Sequence, residues 1–366
     1  MDVVSQPASS DDTKTIRVKF TAKGHAAKDR DVFLRQFPRR EPVWGRCEFT
    51  FDPDDRNYDW LVAYDDLAPV GEERFSTRAE SLDCPPQNTL FVTMEPSSIK
   101  TYGFDFLNQF GAILTSQESW AIPHPQTIRS QPALVWFYGR FPGAYIDYDE
   151  MVSSPPLVKQ RQVGTVCSSK QQKNTVHHLR YEFTHRLASQ FPELDVFGRG
   201  VRPIDDKADS LDLYRYHLAI ENHICDHHWT EKLSDAFLGA TLPFYYGCPN
   251  ARDYFPEDSF IAIDCRDFDG ALETIQSAVA NNEFEQRLDA ILEARQRVLD
   301  QYNLFAVLAR EIELRHGRHE FLGRSAREGM LFSRHQMRSR SFGHVLRFAR
   351  DRWKANRMLA KQRRAA

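Results

Sequence analysis

Three places in the chain set polar side chains at the end of an apolar run, where a strand would present them for chemistry. Glu95 follows LFVTM (90–94), Glu221 and Asn222 follow YRYHLAI (214–220), and Thr230, Glu231 and Lys232 open the stretch TEKLSDAFL. Ligands of open parallel sheets bind beyond the carboxyl ends of the strands, which makes these residues the first candidates for a site. The third place breaks a local rule. Thr230 is a good N-cap and Glu231 suits a first helical turn, but Lys232 adds a cation where the helix dipole is already positive. A lysine pointing into solvent satisfies the pattern; so does a bound anion, because free backbone N–H groups beside a lysine form a phosphate site.

The elements that must carry these residues are legible as short, continuous apolar runs. IRVKF (16–20), CEFTF (47–51), WLVAY (60–64), LFVTM, AILTS (112–116) and ALVWFY (133–138) precede a segment with Ser153, Ser154, Pro155 and Pro156. Beyond it come VGTVCS (163–168), a helical stretch 175–190, LDVFG (194–198), YRYHLAI, a helix 231–238, LPFYYG (242–247) and FIAID (260–264). Runs of this length and composition read as buried strands of a mainly parallel sheet. Strand and helix alternate on both sides of the Ser/Pro segment, which predicts two Rossmann-like units. The expected division is a disordered lead 1–13, a first unit 14–150, a linker 151–162, a second unit 163–330 and a basic tail 331–366.

Composition excludes several classes. With 41% hydrophobic and 12% aromatic residues the chain is an ordinary globular one. Its opening is polar and acidic, without the pattern of a signal peptide, and the expected location is the cytoplasm. Six cysteines occur without a CxxC pair and read as reduced thiols. No Walker loop and no G-x-G-x-x-G follow a strand, which disfavours kinases and dinucleotide oxidoreductases. His223 and His227 stand four apart with Cys225, Asp226 and His228 around them, a spacing that on a helix places two metal ligands on one face. A dedicated third ligand is missing, and no metal is expected.

The stretch from Tyr214 to Asp264 resembles the donor-domain signature of the family 10 glycosyltransferases, the α-1,3/4-fucosyltransferases. It has an apolar strand ending in E-N, T-E-K opening a helix, then P-x-x-x-G and a P-x-x-S-F-I run. The likeness is specific over about 160–270 and looser over 88–120, where MEPSS (94–98) is similar to an acceptor-side element. It implies a GT-B fold, two Rossmann-like domains facing a central cleft, the acceptor domain first. It also implies an inverting, metal-independent transfer of L-fucose from GDP-fucose to a glycan hydroxyl, O3 of GlcNAc or a related sugar, with no cofactor.

Residue by residue, Glu95 matches the base that takes the acceptor proton, and Arg180 with Lys232 the pair that holds the pyrophosphate. Glu231 matches the ribose-binding carboxylate, and Glu221 with Asn222 the wall of the donor sugar, where Glu221 is also a catalytic candidate that favours the oxocarbenium-like transition state. The family usually has Ser after E-N and an aromatic–Val pair before T-E-K, whereas this chain has His223, and His228 with Trp229. The latter two are candidates for an aromatic face on the donor. Two alternatives stay open: a GT-B enzyme using another nucleotide sugar, and a nucleotide-sugar or glycan binding protein without transfer.

The net charge of −3 is uneven. Arg334 to Arg364 holds eleven Lys and Arg against one acid, Asp351, giving +10 there and −13 elsewhere. A helix over 342–360 places Phe342, Val345, Leu346, Ala349 and Trp353 on one face, with Arg347, Arg350, Lys354, Arg357 and Lys361 beside it. Such a helix is expected to lie on an anionic membrane surface near a lipid-linked oligosaccharide acceptor, rather than on nucleic acid.

Overall fold

The computed structural model describes residues 14–23, 30–131, 134–169, 176–317 and 329–365. The expected disordered lead falls outside them. The first sheet runs, in spatial order, Val43–Trp44, Cys47–Thr50, Ile16–Ala22, Trp60–Tyr64, Thr89–Val92, Ala112–Thr115 and Thr127–Arg129. Every pairing is parallel except that of the edge strand Val43–Trp44. The second sheet, parallel throughout, runs Leu194–Phe197, Arg161–Val166, Tyr214–Ile220, Leu242–Tyr246 and Ile261–Ala262.

Both sheets are buried on both faces, which is why their strands read as unbroken apolar runs. Trp60, Val62 and Tyr64 enter one core while Leu61 and Ala63 enter another, and in the second sheet Leu218 and Ile220 part from Ala219 in the same way. Numbered along the chain, the parallel strands of each sheet begin in the doubly wound order 2-1-3-4-5. That order places a crevice between the first and third strands, where the crossovers diverge.

The chain divides differently from the expectation. Residues 134–138 form no strand, and Ala133 lies outside the described residues; Trp136 and Tyr138 instead enter a core of the second lobe. Arg35 of the first lobe is fully buried and donates to the carbonyls of Trp136, Tyr138, Gly139 and Ile146, so this crossing segment is tied to both lobes. The chain also returns. Leu304, Phe305, Val307, Leu308 and Ile312, on helix Leu304–Glu313, belong to the first core, where Phe305 stacks on Phe37 with ring centroids 4.1 Å apart. Met330–Phe332 then pairs with Ala79–Ser81, and Leu331 and Met337 are buried in the first lobe. The second unit thus ends near residue 302, because an apolar helix face is partnered by whichever core it fills, not by its neighbours in sequence.

The basic tail is helical over Phe342–Ala365, but one side of it is docked. Ala355 and Leu359 are buried, Asp351 accepts the Phe104 N–H at 2.9 Å, and Arg347 pairs with Asp105 at 2.6 Å.

Candidate active site

The two sets of strand ends face each other. Ser116, just past Ala112–Thr115, meets His228 of the second lobe, Oγ to Nδ1, at 2.9 Å, and its carbonyl accepts from the Cys225 thiol at 3.4 Å. Farther out, the Gln131 N–H donates to Tyr254 Oη at 3.2 Å.

On the second lobe the crevice between Arg161–Val166 and Tyr214–Ile220 opens into a pocket. Arg180, Asn222, Glu231 and Lys232 all line it, joined by Lys207, His217 and Asp235. Arg180 projects from helix His177–Gln190, which follows the first strand of the sheet. Lys232 comes from helix Glu231–Leu238, capped by Thr230, whose Oγ1 accepts the Lys232 N–H at 3.3 Å.

The charges are held by one another. Lys232 Nζ lies 2.9 Å from Glu231 and 3.6 Å from Glu221, while Lys207 lies 2.7 Å from Asp235. The cations Lys232 and Lys207 overcome burial and hold the Glu231 carboxyl well below its usual range, and Glu231 in turn raises Lys232 despite desolvation. His217 is different: burial, reinforced by Lys207, pushes it down to about 3, leaving a neutral ring in the wall. Among the described residues, three buried polar atoms of this pocket, Arg180 Nε, Asn222 Oδ1 and His217 Nδ1, have no hydrogen-bond partner. Buried polar groups are normally paired, so this wall is incomplete without a polar ligand.

Three expected donor contacts need correction. Glu221 is fully buried and does not line the pocket. Its two oxygens accept the Thr230 N–H at 2.8 Å and the Thr230 hydroxyl at 2.7 Å, so it fixes the start of the helix that carries Lys232. Trp229 is 4% exposed and packs edge-on against Tyr254, Phe255 and Tyr302. His228 is 3% exposed, pushed down to about 3 by burial, and spends Nδ1 on Ser116. Neither ring offers a face to the pocket.

Glu95 stands three residues past Thr89–Val92, with its side chain exposed. Its backbone carbonyl accepts from Gln117 Nε2 at 2.6 Å, which anchors the turn. The protein around the carboxyl strips part of its water and raises its pKa, Asp65 adds to the rise, and so does Glu231 from the opposite lobe. The residues that line the pocket do not include Glu95. Beneath it Asp65 is paired with Lys100 at 2.7 Å and accepts from Tyr102 Oη at 2.6 Å. Lys207, His217 and Asp235 were missed by sequence reasoning. His217 had a signal, a polar residue inside the apolar run YRYHLAI; Lys207 and Asp235 had none beyond ordinary surface charge.

Two facing parallel α/β units, with a pocket lined by Arg180, Lys207 and Lys232 at the switch point of the second, form the GT-B arrangement. Residues 157–283 match the model of "Glycosyltransferase family 10 (fucosyltransferase) C-term". An alpha-(1,3)-fucosyltransferase of Helicobacter pylori is 32% identical over 74 residues, a stretch that spans 20% of this chain and 16% of the relative. Among solved structures, an alpha1,3-fucosyltransferase with GDP-fucose is 15% identical, covering 85% of this chain and 94% of that one, at a TM-score of 0.44. An alpha-glucosyltransferase in complex with UDP and a 13-mer DNA is 9% identical, covering 82% and 100%, at 0.46.

Proposed function

We propose that the chain transfers L-fucose from GDP-fucose to a glycan hydroxyl, with inversion and without a metal on the diphosphate. The carrying observation is the pocket wall: three unpartnered polar atoms beside Arg180, Lys207 and Lys232, inside the region that matches the fucosyltransferase family. As the glycosidic bond breaks, charge grows on the leaving diphosphate. Fixed cations and the N–H groups of a helix start stabilise it, at no cost of reorganisation. Arg180 supplies a planar fork of donors and Lys232 a point charge. Glu231, kept ionised, accepts hydrogen bonds from the ribose hydroxyls. Glu95, on the other lobe, takes the proton of the attacking hydroxyl, for which O3 of GlcNAc or a related sugar is the expected acceptor; its raised pKa makes it the better base.

The test is incubation of the purified chain with a panel of nucleotide sugars and N-acetylglucosamine-terminated acceptors in the presence of a chelator. Release of GDP from GDP-fucose with acceptor dependence, and a product of opposite anomeric configuration, is the expected result. Turnover of a different nucleotide sugar would transfer the reading to that donor, and binding without release would make the chain a binding protein.

A second element of the proposal concerns place. No described helix is long and apolar enough to cross a membrane. The tail helix docks through Ala355 and Leu359 yet leaves Phe342, Val345, Leu346 and Trp353 between 45% and 77% exposed. A face this apolar, flanked by arginines and lysines, suits an anionic lipid surface and a lipid-linked acceptor. Changing Phe342, Leu346 and Trp353 together to Ser is expected to abolish sedimentation with anionic liposomes while sparing transfer to a soluble acceptor. Unchanged sedimentation would refute the anchor.

A further inference from the structure

The loop that follows Glu221 and Asn222 carries a cluster outside the anion pocket. A carboxylate oxygen of Glu118, a ring nitrogen of His223 and the sulfur of Cys225 all lie within 4.8 Å of one another. Glu118 comes from the first lobe, three residues past Ala112–Thr115, and the other two come from the second. None of the three lines the anion pocket.

The cluster is also incomplete. His223 is 9% exposed, and its Nε2 faces Glu118 Oε1 at 3.4 Å with no hydrogen bond of normal geometry among the described residues. Glu118 Oε2 is buried and, among the described residues, has no hydrogen bond of normal geometry, although the His223 ring and the Ser97 hydroxyl lie close enough to lower the carboxyl's pKa against burial. Leaving such atoms without a full partner destabilises a folded chain. The surrounding contacts do not fill the gap: Gln362 Nε2 donates to Glu118 Oε1 at 3.2 Å, and the thiol rests on the Ser116 carbonyl. The neighbouring histidines point elsewhere, His227 Nδ1 to Tyr254 Oη at 2.6 Å and His228 Nδ1 to Ser116.

We propose that Glu118, His223 and Cys225 bind a zinc-class divalent cation that clasps the two lobes beside the donor pocket. A thiolate, an imidazole and a carboxylate are the ligand set of a borderline-soft ion, whereas magnesium and calcium take oxygens. Zinc bonds of about 2.0–2.3 Å place tetrahedral ligand atoms roughly 3.3–3.8 Å apart, so the three need to draw in by about 1 Å. Binding releases the Cys225 proton to solvent and leaves the fourth position to water. Because His223 adjoins Asn222, the ion fixes the loop forming one pocket wall, and it does so whichever sugar the pocket takes. The third ligand that the sequence spacing lacked comes from the opposite lobe.

The full chain, stripped with a chelator and titrated with Co²⁺ as a spectroscopic probe, tests this. The expected result is one equivalent bound, with a thiolate-to-cobalt charge-transfer band in the near ultraviolet and the strong visible bands of a tetrahedral site, all displaced by Zn²⁺. Cys225→Ser should remove the charge-transfer band, Cys265→Ser should keep it, and Glu118→Gln should weaken Co²⁺ at least tenfold. Absence of the band in the unmodified chain, or its survival in Cys225→Ser, overturns the proposal. If Cys225→Ser does not fold by circular dichroism, the unmodified spectrum and Glu118→Gln decide alone.

Discussion

Glu95 and Glu221 are the same side chain in nearly the same topological place, just beyond a central parallel strand, on opposite sides of one cleft. Their surroundings make them different devices. Glu221 is fully buried, gives both oxygens to Thr230, and has Lys232 at 3.6 Å. Glu95 is exposed, and among the described residues no hydrogen bond holds its carboxylate oxygens. A carboxylate whose lone pairs are committed to a helix start is a strut, and one left uncommitted at a cleft edge is a reagent. Position at a strand end selects candidates; what the oxygens already touch decides between them.

The largest effect should come from the reagent. Glu95→Gln keeps shape and removes the base, so turnover should fall about 10²–10⁴-fold while GDP-fucose affinity by calorimetry changes little. Equal losses in both would mean that Glu95 binds donor, and the contrast with Glu221 would collapse. Next come the pocket cations. Arg180→Ala or Lys232→Ala removes charged hydrogen bonds worth about 1.5–3 kcal/mol, so GDP should bind roughly 10–150-fold more weakly. Undiminished GDP binding in both variants would move the diphosphate elsewhere.

The strut should fail differently. Glu221→Gln leaves only one acceptor for the two Thr230 donors and takes the counter-charge from beside Lys232. A stability loss of about 1–3 kcal/mol in urea denaturation is expected, with turnover at saturating donor falling far less than in Glu95→Gln. A Glu221→Gln chain as stable as the original but inactive would make Glu221 a participant in the chemistry after all.

The same contrast marks what the sequence could convey. The strand Tyr214–Ile220 and the helix Glu231–Leu238 were bounded correctly because contiguous apolar runs and a Thr cap are local signals. The gathering of Asn222, Glu231 and Lys232 followed from chain order, since strand ends of a parallel sheet share one edge, whereas Arg180 was reached only through the family resemblance. The inward turn of Glu221 was not legible, because nothing in E-N-H announces that Thr230, nine residues on, takes both oxygens. Nor was the burial of Trp229, which depends on Tyr302 returning from a later helix connection. The return of Phe305 to Phe37 is invisible for the same reason: helical periodicity shows that a face is buried, not which core buries it. Glu118 carried no local motif, and only the facing of the lobes brings it to His223.

The smallest effect is a displacement in pH, and it tests whether Glu95 is poised as the comparison requires. Burial, then Asp65, raise its pKa above the usual 4.5, Lys100 and Lys23 oppose them, and Glu231 adds to the rise from across the cleft. A base acts only when deprotonated, so kcat/KM should fall as pH drops through that raised value, with the acidic limb lying above an ordinary glutamate's. Lys23 is the accessible lever, since its side chain is 44% exposed and pairs with Asp65 at 3.4 Å. Lys23→Gln takes away a charge that favours the ionised carboxylate, so the limb should move further up, by a small amount because solvent screens an exposed lysine. A limb that moves down, or an identical limb in Glu95→Gln, would mean that some other group titrates and that the base lies elsewhere in the cleft.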